Sequence, residues 1–266
     1  PGQSRYYTKT VKRVPICVLE EIPFKIDIQV PKVPIARNGS MNLKIVAERK
    51  EGFTAAINVI FPFRPPGIGA RSSVQIPAGK NEALYPISAN GGAAVGNWKV
   101  FALGSATVDG GAAWSSSQLC ALEISEQFVT FAMGRSACDQ GQETEIVCKI
   151  TKNKDFPAEA IARIFGLPTK ATTDEMKFTQ ASEELVFKIK TEKATPAGRH
   201  KNVFCQITIT MNGETIVHNV GSTELRVDKP LPPKVAPKPK PKPVVAKAAP
   251  KPAAPKPPPE RRLTRL

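Results

Sequence analysis

The chain repeats itself at an interval of 103 residues, and this repeat limits what it can fold into. Residues 16–20 (ICVLE) return as residues 119–123 (LCALE), and the pair Val100-Phe101 returns as residues 203–204. A fixed period marks one structural unit, and about 100 residues is the size of a small globular domain rather than of a helical repeat. The sequence therefore predicts a tandem array of similar domains.

Strand patterns dominate within each unit. Short runs of alternating apolar and β-branched residues occur at 43–47, 146–150, 185–189 and 203–210, as expected for half-buried β-strands. Asn212-Gly213, between two such runs, indicates a type I′ hairpin. About seven short strands in about 100 residues are typical of an immunoglobulin-type sandwich. We predict an all-β chain of tandem immunoglobulin-like Greek-key β-sandwiches, with a barrel as the structural alternative.

The repeat divides the chain into four segments. Residues 1–21 are interpreted as the last strand or strands of a truncated preceding repeat, because residues 16–20 match a closing strand. Residues 22–125 and 126–228 are the two predicted sandwiches, and residues 229–266 form a tail. The linkers between the units are very short, so we expect restricted hinge motion and a semi-rigid rod.

The tail differs from the rest of the chain in composition. It contains eight lysines, three arginines and one glutamate, a net charge of +10 out of +15 for the whole chain, and 13 of the 26 prolines. Proline removes backbone donors, and few apolar side chains remain to form a core. We predict a disordered, polyproline-rich segment.

Three interpretations of this tail stay open. It is a spacer, a contact for an anionic cell-surface or cell-wall polymer, or a nucleic-acid-binding segment. No aromatic residue interleaves the lysines, so no sequence-specific nucleic-acid binding is expected. The residues predicted to contact a polyanion are Lys234, Lys238, Lys240, Lys242, Lys247, Lys251 and Lys256.

Two cysteines fall on facing strands of the second predicted sandwich. Cys148 and Cys205 both have the parity of inward-facing residues, so a disulfide between them is predicted, which places the chain outside the reducing cytosol. Two buried free thiols are the alternative. The matching positions in the first unit are Ile45 and Ala102, which pack without a bridge, and Cys138 is expected in a loop.

No arrangement of residues indicates catalysis. The two histidines, His200 and His218, are both expected to be exposed strand residues, and the serines at 115–117 lack the setting of a nucleophile. No cysteine pair has zinc-ribbon spacing. The sequence therefore predicts no enzyme activity, cofactor or metal, and it has no apolar run long enough for a transmembrane helix.

The segment from Gly198 to Lys234, followed by the Pro/Ala/Lys tail, resembles the C-terminal region of large bacterial secreted proteins. Such proteins carry tandem immunoglobulin-like domains, often beside pre-peptidase C-terminal domains. The resemblance covers most of residues 30–266 and implies an extracytoplasmic location and an accessory, non-catalytic role.

These observations favour a non-catalytic structural or adhesion module. It would be a tandem spacer of a larger secreted, periplasmic or cell-surface protein, with neighbouring domains of the same polypeptide as its partners. The alternatives are an accessory region of a secreted hydrolase, such as a protease with its catalytic domain upstream, and a polyanion-binding protein acting through the tail.

Overall fold

The alternating pattern becomes strands along the whole of the described chain. The computed structural model describes residues 21–157 and 159–230, together with residues 10 and 13. Every regular element within these residues is a β-strand. The first half contains eleven strands: β1 (Phe24–Ile28), β2 (Ile35–Ala36), β3 (Gly39–Arg49), β4 (Ile57–Ile60), β5 (Ile68–Ala70), β6 (Val74–Ile76), β7 (Glu82–Ala89), β8 (Gly96–Val100), β9 (Leu103–Val108), β10 (Gly111–Ser116) and β11 (Cys120–Ser125).

The second half repeats this order with longer final strands. It contains nine: β12 (Val129–Met133), β13 (Ser136–Asp139), β14 (Glu143–Lys152), β15 (Ala160–Phe165), β16 (Ala171–Thr172), β17 (Met176–Phe178), β18 (Glu184–Thr191), β19 (Gly198–Met211) and β20 (Glu214–Asp228).

Each half forms a two-layer sandwich. In the first, the neighbouring strands β1-β3-β7-β5 face a layer made of β10-β9-β4-β6 and of β2-β11-β8. In the second, β12-β14-β18-β16 face β17-β15-β19-β20, with β13 added in parallel to the end of β20. Successive strands cross between layers, as in immunoglobulin-type sandwiches. The predicted all-β, tandem immunoglobulin-like fold is confirmed.

Two turns between successive strands have the predicted hairpin geometry. Asn212 and Gly213 have φ values of 53° and 78°, and Asp109 and Gly110 have φ values of 49° and 80°. Positive φ at both central residues defines the type I′ turn, whose twist matches that of the flanking strands. The predicted hairpin at Asn212-Gly213 is therefore confirmed, with a turn of the same kind one repeat earlier.

The two sandwiches have separate apolar cores that touch at one place. Ile45 and Ala102 are fully buried in the first core, at the positions that correspond to Cys148 and Cys205 in the second. Val33 and Ala36 belong to the first sandwich by sequence but pack into the second core, and Met41 contacts both cores. The two halves are thus joined by side-chain packing as well as by the chain.

Two expectations about strands are wrong. The number of strands per unit exceeds seven, since short strands form between the long ones and the last two long strands of the first unit are each broken in two. Cys138 lies in a strand rather than a loop, because β13 pairs with the end of β20, where Cys138 faces Val227.

The predicted domain limits stay predictions. The observed strands fall within residues 22–125 and 126–228, and both sets belong to one compact unit that ends at Pro230. The proposed stub at residues 1–21 lies outside the described residues except for residues 10, 13 and 21, and the tail lies outside them beyond Pro230.

The backbone of Gly166 lies very close to that of Asn202 in the second sandwich, and this contact can be tested by substitution. It has φ of 78°, and a Cβ there would overlap the carbonyl oxygen of Asn202. Gly213 has the same φ, but a Cβ there would meet no atom within 4 Å. We expect Gly213→Ala to lower the free energy of unfolding by about 1 kcal/mol through backbone strain alone. Gly166→Ala should cost roughly 2–4 kcal/mol, because overlap adds to that strain. Urea denaturation of both variants checks this, and equal losses would contradict the close approach.

Candidate functional site at the junction of the two sandwiches

A strand of the second sandwich pairs directly with a strand of the first. Val217 and His218 on β20 lie opposite Ser40 and Gly39 on β3 in antiparallel register. The backbone N–H of Asn219 extends this pairing by donating to the carbonyl oxygen of Asn38 at 2.9 Å. One layer of each sandwich thereby joins the other in a single sheet of nine strands, in which β20 is the neighbour of β3.

The tip of the β19–β20 hairpin holds the first sandwich at a second point. The carboxylate of Glu214 accepts a hydrogen bond from the backbone N–H of Lys32 at 2.9 Å. The side-chain amide of Asn212 donates to the carbonyl oxygen of the same residue at 3.3 Å. The hairpin therefore satisfies both backbone groups of Lys32, which lies in the segment between β1 and β2.

Arg37 fastens the point where the chain passes between the sandwiches. Its backbone N–H donates to the carbonyl oxygen of Ser125 at 2.9 Å, and its Nε donates to that of Ala93 at 2.8 Å. Its Nη1 lies 2.7 Å from a carboxylate oxygen of Glu126. The pair is partly exposed, so its own contribution is at most about 1 kcal/mol. Its position matters more, because Glu126 is the first residue after β11.

A groove of about 610 Å³ runs beside the strand contact and is lined by uncharged polar groups. Its side chains include the amides of Asn38, Gln127 and Asn219 and the hydroxyls of Ser40 and Ser88. The amide of Gln127 donates to the carbonyl oxygen of Asn219 at 2.7 Å. The residues that form this groove come from both sandwiches, so its shape depends on their fixed arrangement.

Gly39 makes the close strand contact possible. A Cβ at this position would lie 2.5 Å from the carbonyl oxygen of Val217 and 2.6 Å from that of Ala36. Both atoms are backbone, so neither can move aside without moving a strand. The corresponding residue one repeat later is Gln142, which is exposed. The difference between Gly39 and Gln142 is visible in the sequence as a departure from the repeat. Strand patterns alone do not show that Gly39 lies at a contact between strands.

His218 is buried at the junction, and the prediction that it is exposed is wrong. Its side chain is 0 % exposed, and neither ring nitrogen has a hydrogen-bond partner. Its ring stacks on Phe128 with the centroids 6.4 Å apart. The alternation along β20 directs His218 inward, and the first sandwich covers β20 at this position. Burial disfavours the imidazolium and lowers the pKa of His218 to about 4.

The buried imidazole makes stability depend on pH. Unfolding restores a pKa near 6.5, so the unfolded chain takes up a proton that the folded chain does not as the pH falls below about 6.5. The stability linked to the neutral form of His218 is fully present above this pH. It falls progressively towards pH 4, and the loss is about 2 kcal/mol at pH 5. We expect His218→Leu to abolish this loss and to raise stability at pH 7 by about 1 kcal/mol, since two unpaired nitrogens are removed.

Chemical denaturation at pH 7 and pH 5 measures this difference. His200→Gln is the matched control, because His200 is half-buried near the start of β19 and its Nε2 donates to the carbonyl oxygen of Pro196 at 3.0 Å. If wild type and His218→Leu lose equal stability between the two pH values, His218 is not buried in its neutral form.

The cysteines of the second sandwich lie in its core. Cys148 and Cys205 are both 0 % exposed and face the same core, as the predicted parity requires. Each is a free thiol in this structure. Burial raises the pKa of Cys148 to about 12 and that of Cys205 further still. The disulfide between them stays a prediction.

The remaining predicted positions are not brought to the junction. Cys120 is buried in the first core. The lysines predicted to contact a polyanion, Lys234 to Lys256, lie outside the described residues, as does Cys17. No group of three or more His, Cys, Asp or Glu side chains suited to a metal ion occurs among the described residues. The same part of the chain has no helix long and apolar enough to cross a membrane.

No protein-family model and no curated protein matches the chain. Solved structures that match the chain include a protein of unknown function from Porphyromonas gingivalis W83, at 11% identity and a TM-score of 0.27, with 77% of this chain and 99% of that one covered. The D0-D1 domain of intimin has 14% identity and a TM-score of 0.26, with 76% and 97% covered. A chimeric titin Z1Z2-Z1Z2 tandem has 13% identity and a TM-score of 0.24, with 77% and 100% covered.

At these TM-scores the likeness carries no argument. The immunoglobulin-like fold is therefore assigned from the strand order and register of the chain itself.

Proposed function

We propose that this chain is a non-catalytic structural module that holds two immunoglobulin-like sandwiches in a fixed orientation. It acts as a spacer within a larger secreted or periplasmic protein. The observation that carries the proposal is the pairing of β20 with β3, which continues one sheet from the second sandwich into the first.

The contacts at the junction restrain different motions. Hydrogen bonds between strands are directional, so the pairing of β20 with β3 resists twisting of one sandwich against the other. The hydrogen bonds of the hairpin tip to Lys32 and the ion pair of Arg37 with Glu126 lie at separate points, so they resist bending about the strand contact. Val33 and Ala36 add apolar burial across the same boundary. A spacer with these restraints transmits the position of one end to the other.

Gly39→Ala tests whether the junction fixes the orientation. The added Cβ cannot coexist with the present distances to the carbonyl oxygens of Val217 and Ala36, so we expect the pairing to open. Residual dipolar couplings should fit one alignment tensor for both sandwiches in the wild type and require two in Gly39→Ala. Gly111→Ala is the control, because its Cβ would meet no atom closer than 3.6 Å.

Chemical shifts within each sandwich establish whether the variant stays folded. Two tensors in the wild type, or one tensor in a folded Gly39→Ala, would contradict the proposed rigid spacer.

An extracytoplasmic location is part of the proposal. It is supported by two cysteines that face one core from the two layers of the second sandwich. A bridge between them would close a loop of nearly 60 residues and add about 4 kcal/mol. A hydrolase with its catalytic domain upstream, and adhesion of the basic tail to an anionic polymer, are compatible uses of such a spacer.

Peptide mapping of the chain from its native source, after thiol blocking and without reduction, tests the location. We expect a cross-linked peptide pair that contains Cys148 and Cys205, because both side chains point into the same core. Cys138 is half-buried on β13 and should be recovered as a blocked monomer, which serves as the internal control. Recovery of Cys148 and Cys205 as separate thiols would contradict an oxidising location.

A further inference from the structure

We infer that the free edge of β10 is the docking surface for a preceding β-sandwich unit of the same polypeptide. That unit would sit on β10 as the first sandwich sits on β20. The inference rests on the proposed spacer function and extends it from one junction to the array.

The β9–β10 hairpin of the first sandwich is the counterpart of the β19–β20 hairpin of the second. Trp114 lies opposite Ser105, and one repeat later Val217 lies opposite Thr208. The turns at the two tips have nearly equal φ values at both central residues. Residues that are 103 apart therefore occupy the same place in the two sandwiches.

The strand edge that has a partner in the second sandwich has none in the first among residues 21–157 and 159–230. Val217 and His218 pair with β3, and the N–H of Asn219 donates to the first sandwich. In the first sandwich β10 ends its sheet, so among the described residues no strand pairs with the corresponding edge. The counterpart of Asn219 is Ser116, whose N–H points out from this edge, since the next residue, Ser117, donates back to Ala102.

Trp114 marks this edge as a contact surface. Its side chain is 55 % exposed, whereas its counterpart Val217 is half-buried against the first sandwich. A tryptophan offers a large apolar area together with one N–H donor, and such residues are enriched where proteins meet. An unpaired strand edge beside it is a template for pairing with another strand.

The charge around Trp114 favours a sandwich as the occupant. None of the residues of β4, β6, β9 and β10 is charged, although the chain has a net charge of +15. On the outer face, Ser105, Asn58 and Gln75 continue the row that begins at Trp114. The junction groove between the present sandwiches has the same kind of lining, with amides and hydroxyls.

The sequence indicates which units receive a neighbour. The first sandwich, which carries a successor, has Gly39 at the strand contact, and the second, which is followed by the Pro/Lys tail, has Gln142 there. Residues 16–20 match the closing strand at 119–123, so the predicted preceding unit is in register with the repeat. Its residue equivalent to Gly39 falls about 65 residues before Pro1 and should be a glycine.

The test compares hydrogen exchange in the 266-residue chain and in the same chain extended upstream through one unit of its reading frame. We expect the amide of Ser116 to exchange at least about tenfold more slowly in the extended chain, because a hydrogen-bonded amide must open before it exchanges. The amide of Asn219 is already bonded and should be slow in both chains. Trp114→Glu in the extended chain should restore fast exchange at Ser116.

Leu84→Glu is the matched control. Leu84 is 59 % exposed on β7, away from the β10 edge, so its replacement should leave the protection of Ser116 unchanged. Equal exchange of Ser116 in both chains would overturn the inference, and so would an upstream reading frame without the repeat. Protection of Ser116 in a dimer of the 266-residue chain would assign the edge to a second copy instead. A rigid junction combined with an unprotected Ser116 overturns this inference alone and leaves the spacer function standing.

Discussion

The contact between the backbones of β20 and β3 is the constraint on which the arrangement of the two sandwiches depends. Only two residue pairs form it, and it requires a residue without a side chain at Gly39. The ion pair of Arg37 with Glu126 and the hydrogen bonds to Lys32 join the two sandwiches at further points. A junction of this kind is more specific than apolar packing alone, because hydrogen bonds fix both distance and direction.

The hairpin that makes this contact is built differently in the two sandwiches. β19 and β20 run for 14 and 15 residues, with shifts of register between His200 and Val203 and between Phe204 and Cys205. In the first sandwich the same two strands are interrupted, where Ala102 donates to the hydroxyl of Ser117 and Ser117 donates to the carbonyl of Ala102. Around the tip the register is the same in both units, with Trp114 opposite Ser105 and Val217 opposite Thr208, and the two hairpins differ farther from the tip.

Much of each sandwich could be predicted from the sequence, because alternation and turn residues depend on local geometry. Asn212-Gly213 has the predicted turn, and Cys148 and Cys205 face inward. The junction could not be predicted in the same way, because alternation shows which side of a strand is apolar but not what covers it. His218 has the parity of a buried residue, which it shares with Ile216 and Val220, and the polarity of an exposed one. Its parity directs the ring onto Phe128 of its own sandwich, and the strand that pairs with β20 at this position comes from the other sandwich, which no local pattern describes.

The sharing of core residues makes the folding unit larger than the repeat. Val33 and Ala36 are encoded in the first unit but complete the core of the second, and Phe128, just after the boundary, packs under His218 at the junction. Cutting the chain between the sandwiches would expose these apolar groups and leave β20 without its partner strand. Residues in contact across a boundary couple energetically, so the stabilities of the two sandwiches should not be additive. The 103-residue period describes how the sequence repeats, whereas the shared core residues lead us to expect that the two sandwiches unfold as one cooperative unit.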